Sequence, residues 1–287
     1  MNESPLISVI IPTYNRAAYI LETVDSICSQ TYTNWQCLIV DDGSTDNTRS
    51  RLESYITSDK RFSYIYTNNA GPNSARAIGF SKACGKYIQF LDSDDLLPKE
   101  RFFQCIKEIN GYDLLVTNFD RFKTSSQPFL PPYCKLSQNL LNLRSIVMEW
   151  DGSFTIPIHC GFFNAQIFDK ISLKKFLIIK EDWIMWIEIF LEGFSAKYVD
   201  ENLAHYRFSH QSLSFEFNKI PSNAALAYEH IYRIIPEEMK ADFFKMTTER
   251  LCTRLAEQYT LQQVVPTSIS KPIRKILAKI KSAISTR

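Results

Sequence analysis

Short apolar runs alternate with helical patterns through the first 118 residues. The runs are "LISVII" (6–11), "QCLIV" (36–40), "FSYIY" (62–66), "KYIQFL" (86–91) and "YDLLVT" (112–117). Each is brief and rich in β-branched or aromatic residues, which predicts strands. Between them, residues 16–29, 45–57, 72–83 and 98–109 place apolar side chains at spacings of three and four. Ile20, Val24 and Ile27 mark the first such stripe, and Phe102, Cys105, Ile106 and Ile109 the last. Strand and helix taken in turn predict an α/β fold, a Rossmann-like and mostly parallel sheet with helices on both faces.

The pattern loosens from about 118 to 180, where "KTSSQPFLPPYC" reads as a long loop; loops of that length in compact domains are usually functional or disordered. A clear helix follows in "EDWIMWIEIFLEG", with Trp183, Trp186, Ile187, Phe190 and Leu191 on one stripe and Gly193 as its stop. Two further strand-like runs, "AKYVD" and "LAHYRFS", come next. From Lys219 onward the chain reads as helices broken at Pro221, Pro236, Pro266 and Pro272. The expected organisation is a main domain over 1–215, divided at about 118, a helical extension over 216–266 and a basic tail over 267–287.

Composition narrows the class. Hydrophobic residues make up 45% and charged residues 22%, an ordinary globular balance. Seven cysteines, an odd number without a Cys-x-x-Cys pair, fit packing residues in a reducing compartment better than a disulfide framework or a zinc ribbon. The first apolar stretch is short, lacks a basic flank and ends at Pro12, so no signal peptide is expected. Nor is a membrane span expected, since the longest stretch free of charged residues, 152–168, is interrupted by polar ones. The net charge of +2 hides an asymmetry: Lys271, Arg274, Lys275, Lys279, Lys281 and Arg287 stand in a tail without acids, while the body holds 27 basic and 31 acidic residues. Overall charge therefore gives no support for a nucleic-acid partner.

In open α/β sheets, ligands bind outside the carboxyl ends of the strands. Here those ends are followed by "PTYNR", "DDGSTDNT", "TNNAGPNSAR" and "DSDD", which bring Asn15, Arg16, Asp41, Asp42, Asn69, Arg76, Asp92, Asp94 and Asp95 to one rim. In "LDSDD", an extended chain points Asp92 and Asp94 the same way while Asp95 begins a turn. Two or three carboxylates so placed suit Mg2+ or Mn2+, which completes its shell with phosphate oxygens and water and would neutralise a departing diphosphate. As local structure, "VDDGSTDNT" is an Asx turn leading into a helix capped by Ser44 or Thr45. That turn leaves the paired aspartates before it unexplained, and one of them could accept the imide N–H of uracil.

Taken as a set, "ISVIIPTYNRAAYILETVDSICSQTYTNWQCLIVDDGSTDNT", "NAGPNSARAIGFSKACGKYIQFLDSDDLL" and "KEDWIMWIEIF" resemble the family 2 glycosyltransferases of GT-A fold, densely over 6–118 and more thinly over 159–210. The resemblance implies a nucleotide-sugar donor, a divalent metal and inversion at the anomeric carbon. It places Pro12 and Tyr14 at the nucleoside pocket, Asp42 on uracil with Asp41 beside it, Arg76 near the diphosphate, and Asp92 and Asp94 on ribose and metal, with Asp95 sharing or taking the metal role. Asn15, Arg16, Ser93, Glu181 and Arg207 join the donor site, and His210 is a further metal candidate. Ala77 stands where many relatives carry Asn, which removes one polar contact. Asp182 matches the family's base. An inverting transfer needs one carboxylate to take the acceptor proton, and a helix N-terminus favours its ionised form. His159, in "HCGFF", either borders the acceptor site or sits in a buried turn.

The tail "SISKPIRKILAKIKSAISTR" sets Ile269, Ile273, Ile276, Leu277, Ile280 and Ile284 on one helical stripe with basic residues over the rest. Such a helix can lie on an anionic membrane surface. The whole reads as a UDP-sugar transferase acting on a hydroxyl of a carbohydrate or lipid-linked saccharide in bacterial surface polysaccharide synthesis. Its expected place is cytoplasmic, on the inner face of the plasma membrane. The rivals are a metal-dependent nucleotidyltransferase and a non-catalytic nucleotide-sugar-binding scaffold at the membrane.

Overall fold

The computed structural model describes residues 4–173, 180–208 and 221–261. The first eight elements alternate: β1 (Ile7–Thr13), α1 (Ile20–Cys28), β2 (Trp35–Asp41), α2 (Thr48–Ser58), β3 (Phe62–Tyr66), α3 (Pro72–Phe80), β4 (Tyr87–Phe90) and α4 (Arg101–Glu108). They are followed by β5 (Leu114–Phe122), α5 (Leu143–Met148), β6 (Gly161–Asn164), α6 (Glu181–Leu191), β7 (Ala196–Arg207), α7 (Pro221–Ile234) and α8 (Glu237–Leu261).

The strands form one seven-stranded sheet in the order β3-β2-β1-β4-β6-β5-β7. β1 runs parallel to β2 and β4, β2 to β3, and β5 to β7, whereas β6 is antiparallel to both of its neighbours. The expected mostly parallel sheet with flanking helices is thus the architecture of the chain. All seven residues of β1 are buried, which is why that strand reads as a continuous apolar run rather than an alternating one.

Each face of the sheet has its own cover. Ile7, Val9 and Ile11 of β1 and Cys37 and Ile39 of β2 pack with Ile20, Val24 and Ile27 of α1, Leu52 of α2 and Phe102 and Cys105 of α4. On the opposite face, Gly79 lets α3 approach the sheet so closely that a Cβ there would lie 2.5 Å from Ile10 Cγ2. Farther along that face Phe90, Phe163, Phe168 and Trp186 meet ring to ring, with centroids 5.4–6.0 Å apart. Complete burial of such a side chain contributes about 1.5–3 kcal/mol.

Three features differ from the sequence expectation. β6 was not anticipated, because four residues are too few to show a period. The two runs after Gly193 form one twelve-residue strand, β7, whose pairing with β5 shifts register between Thr117 and Asn118 and again between Asn118 and Asp120. Those bulges absorb the polar "EN" that separates the two runs in the sequence. α6 is enclosed on nearly all sides: Ile184, Met185 and Ile189 are buried with Trp183, Trp186 and Ile187, while Phe190 and Leu191 are only partly covered.

The chain divides into two compact units at Ile231 and Tyr232, within α7. In the second unit Ile235, Met239 and Phe243 recur every four residues and are buried, as on the apolar stripe of a helix. No helix among the described residues is long and apolar enough to cross a membrane. The basic tail lies outside the described residues.

Candidate active site

The rim formed by the ends of β1, β2 and β4 is built from backbone amides and carboxylates. Asn15 takes the left-handed conformation at φ 51°, which Asn tolerates better than most residues. Its N–H donates to Ser44 Oγ at 2.9 Å, and its Oδ1 accepts the N–H of Thr45 at 2.8 Å. The N–H of Arg16 donates to Thr48 Oγ1 at 2.9 Å. The segment after β1 and the turn before α2 are thereby laced together. Tyr14 stands 44% exposed beside this turn, while Pro12 is buried within β1.

Asp41 and Asp42 hold loops in place. Asp41 Oδ1 accepts the N–H of Ser44 at 2.7 Å and its Oδ2 accepts the Tyr64 hydroxyl, whose ionisation is pushed up by burial and by that bond. Asp42 accepts the N–H of Ala70 at 2.9 Å and of Gly71 at 2.8 Å, one on each oxygen. Gly71, at φ 92°, turns the chain into α3, whose first residue is Pro72. Both aspartates are buried.

Arg76 is the centre of the site. It projects from α3 with 4% exposure and donates to Asp92 Oδ1 at 2.7 Å and to Glu181 Oε1 at 3.1 Å. One guanidinium therefore joins the acidic turn after β4 to the start of α6, segments 89 residues apart. Burial opposes the charge of Arg76, but the two carboxylates keep it firmly protonated. For Asp92, burial works upward, yet Arg76 wins and holds the carboxyl below its ordinary value.

Asp94 and Asp95 differ sharply. Asp94 is 21% exposed and faces Arg16, with Nε 3.6 Å from its Oδ2. Burial and the neighbouring charges of Asp95 and Asp92 outweigh Arg16 and push its carboxyl up to about 7. Asp95 points inward, its Oδ1 accepting the N–H of Arg207 at 2.7 Å and its Oδ2 lying 3.0 Å from His159 Nδ1. Ser93, just before them, is buried. His159 is 1% exposed in a short 3-10 turn, its ring parallel to that of Tyr206 at 6.1 Å.

Arg207 also turns inward. Its Nε donates to the carbonyl of Asp94 at 2.7 Å and an Nη to Glu22 Oε2 at 3.0 Å, and its planar head lies between Tyr19 and Phe122. With 2% of its side chain exposed, its guanidinium fixes the acidic turn from behind. His210 lies outside the described residues.

The other wall of the site is the start of α6. Burial and Asp182 push Glu181 up to about 7, against the pull of Arg76. Asp182 is raised as well, chiefly by burial, while the N–H of Trp183, 2.8 Å from its Oδ1, pulls the other way. Its Oδ2 has no protein partner among the described residues. No cluster of three or more metal-binding side chains occurs among the described residues. The donor set instead fits a hard divalent ion shared with a ligand, because Asp94 is an under-neutralised carboxylate beside Asp92 and such ions fill much of their shell with phosphate and water.

Sequence reasoning singled out these carboxylates but did not show their partners. The ties from Asp95 to His159 and from Arg207 to Glu22 link side chains far apart in sequence, which spacing does not reveal. Arg101 went unnoticed because it reads as a surface charge. It is wholly buried, and its Nη atoms donate to the carbonyls of His159, Cys160, Gly161 and Leu203 and to Thr117, with Nε on Gln89 at 3.0 Å. One signal was present: Arg101 stands four residues before Cys105, on the apolar stripe of α4.

Known proteins resemble this chain in sequence and in fold. The putative teichuronic acid biosynthesis glycosyltransferase TuaG of Bacillus subtilis is 29% identical over 248 residues, covering 81% of this chain and 91% of that protein. Glycosyltransferase GlyG of Streptococcus pneumoniae is 35% identical over 216 residues, 71% of each chain. An uncharacterized glycosyltransferase of Rickettsia felis is 38% identical over 165 residues, and the match spans only 23% of its length. Among solved structures, S. aureus TarS in complex with UDP superposes with a TM-score of 0.59 at 19% identity, covering 86% of this chain and 82% of that one. The mannosyltransferase PcManGT of Pyrobaculum calidifontis, solved with GDP-Man and Mn2+, gives a TM-score of 0.64 at 15% identity, covering 100% and 82%. These likenesses establish the GT-A-like fold. Residues 8–172, more than half of the chain, match Glycosyl transferase family 2, and the chain belongs to that family of glycosyltransferases.

Proposed function

We propose that this glycosyltransferase moves a sugar from a UDP-linked donor to a hydroxyl of a carbohydrate or lipid-linked saccharide, with inversion, in the synthesis of a bacterial surface polysaccharide. The observation that carries the reading is the bridge from Asp92 through Arg76 to Glu181. It brings an acidic strand end suited to a metal-bound diphosphate up against a helix start that offers a base. TarS, solved with UDP, and TuaG, named for teichuronic acid, support the donor and the setting.

Each residue has a task in this reading. Pro12 and Tyr14 border the nucleoside, with Asp41, Asp42, Asn15 and Arg16 shaping the loops around it. Asp94, with Asp92 beside it, holds Mn2+ or Mg2+, which when bound neutralises the charge developing on the diphosphate. PcManGT, solved with Mn2+, supports such an ion. Asp95, Ser93 and Arg207 set the posture of the acidic turn. Asp182 Oδ2 takes the proton of the acceptor hydroxyl as its oxygen attacks the anomeric carbon and the bond to the diphosphate breaks on the opposite face. Glu181 orients the donor sugar through Arg76. The basic segment 267–287 attaches the enzyme to the inner face of the plasma membrane.

The test is a panel of UDP- and GDP-sugars with Mn2+, following release of nucleoside diphosphate. Asp182→Asn should lower turnover by about 100- to 10,000-fold with donor binding retained, and Asp94→Ala should abolish metal-dependent donor binding. Release of diphosphate from nucleoside triphosphates instead would favour nucleotidyl transfer. Binding without turnover by the wild type under any metal would favour a scaffold.

A further inference from the structure

Asn15, Asp151 and Lys180 are the non-glycine residues with positive φ among the described ones. Asn15 belongs to the rim. Asp151, at φ 61°, and Lys180, at φ 59°, are the two ends of one ion pair behind the base helix. Left-handed backbone is unfavourable for a residue with a side chain and persists only where the surroundings impose it. Here both strained residues are pinned by each other.

The surroundings are stiff. Lys180 is 4% exposed, and its Nζ lies over the rings of Trp183 at 5.1 Å and Tyr228 at 5.6 Å. Trp183 stacks on Trp150 at 6.2 Å with the planes 8° apart, and its Nε1 donates to the carbonyl of Ile146 at 2.6 Å. The Lys180 carbonyl accepts the N–H of Ile184 at 3.1 Å, the first bond of α6. A turn carrying an anion and a helix start carrying a cation are thus fastened two residues from Asp182.

We propose that Lys180 and Asp151 are positioning residues for the transfer reaction, an ion pair of a buried lysine with an aspartate on an exposed turn that holds the start of α6 and with it the orientation of Asp182. This rests on the reading of Asp182 as the base. Among the described residues, the charged groups that act on Asp182 are Glu181 on its own helix, Arg76 from α3, Asp151 from the turn after α5, and Lys180, with the Tyr228 phenol from α7 behind Lys180. Lys180 favours ionised Asp182 and Asp151 opposes it. Removing one member of the pair must therefore move the base in the opposite direction from removing the other.

The experiment compares full-length wild type, Lys180→Met and Asp151→Asn in Mn2+-dependent hydrolysis of UDP-sugars across pH 5 to 9. The acidic limb of the wild-type profile, where rate rises as the base ionises, should move up by about one pH unit in Lys180→Met and down by about half a unit in Asp151→Asn. KM for the donor should stay within about twofold. A purely structural pair would lower kcat in both variants without moving the limb. That result, or movement of both limbs in the same direction, overturns the inference. Asn is isosteric with Asp and tolerates positive φ, so Asp151→Asn decides the matter if Lys180→Met does not fold. A wild type that hydrolyses no nucleotide sugar refutes the underlying reading, whereas a turning-over wild type with an indifferent limb refutes this inference alone.

Discussion

Glu181 holds a position in which the folded protein favours its neutral form, since its carboxyl is pushed up to about 7 by burial and by Asp182 despite the ion pair with Arg76. Linkage gives the sign. Between its ordinary value and about 7 the folded state binds more protons than the unfolded state, so this group's contribution to stability falls as pH rises through that window. Glu181→Gln removes the titration. The variant's unfolding free energy relative to wild type should therefore rise between pH 5 and pH 8, by on the order of 3 kcal/mol for a shift of this size, measured by urea unfolding at each pH. A difference independent of pH would refute the assignment. At this scale the sequence was informative about which residues gather and uninformative about what each one does. Asp94 and Asp95 are adjacent and chemically identical, yet one faces Arg16 and the cleft while the other is turned toward His159 and the Arg207 amide. A turn conformation separates them, and composition does not encode it.

Among the elements, α4 repays a test because of the charge at its start. Among the described residues no carboxylate pairs with Arg101; its partners are neutral dipoles on β4, β5, β7 and the 159–161 turn. Arg101→Met removes an unpaired buried charge but leaves those acceptors without donors, each at about 1–3 kcal/mol if unsatisfied. We expect a net loss of about 3 kcal/mol, seen as a lower urea midpoint at unchanged slope, with Arg101→Lys falling between the two. A variant as stable as wild type would mean that the acceptors find other donors. The long periodic helices and the four strands before α4 were legible because burial on one side imposes a repeat. α6 was legible as a helix but not in its burial, since an apolar residue at nearly every position erases the stripe. β7 concealed itself as two runs because bulges carry the exposed Asp200 and Glu201 across the interruption.

For the whole molecule, sequence alternation predicted the sheet but not its order, since β4 and β5 are consecutive in the chain and yet stand apart with β6 between them. The basic segment 267–287 bears on where the molecule works. If it binds anionic lipid at about 1 kcal/mol per basic residue near the surface, deletion of that segment should reduce cosedimentation with phosphatidylserine-containing vesicles at least tenfold while leaving nucleotide-sugar hydrolysis intact. Undiminished binding would reject the membrane role.

The placement of β6 has a consequence for synthesis. A ribosome delivers β5 well before β6, so the nascent chain passes through a stage in which β1–β4 can assemble but the slot beside β4 is empty. An unpaired edge of buried, apolar strand is a template for association with other chains. Only when Gly161–Asn164 emerges can the gap be closed from both sides. Fragments ending near residue 122 should accordingly be captured by chaperones or aggregate, whereas those extending past β6 should escape, and the late four-residue strand acts as the keystone of biogenesis.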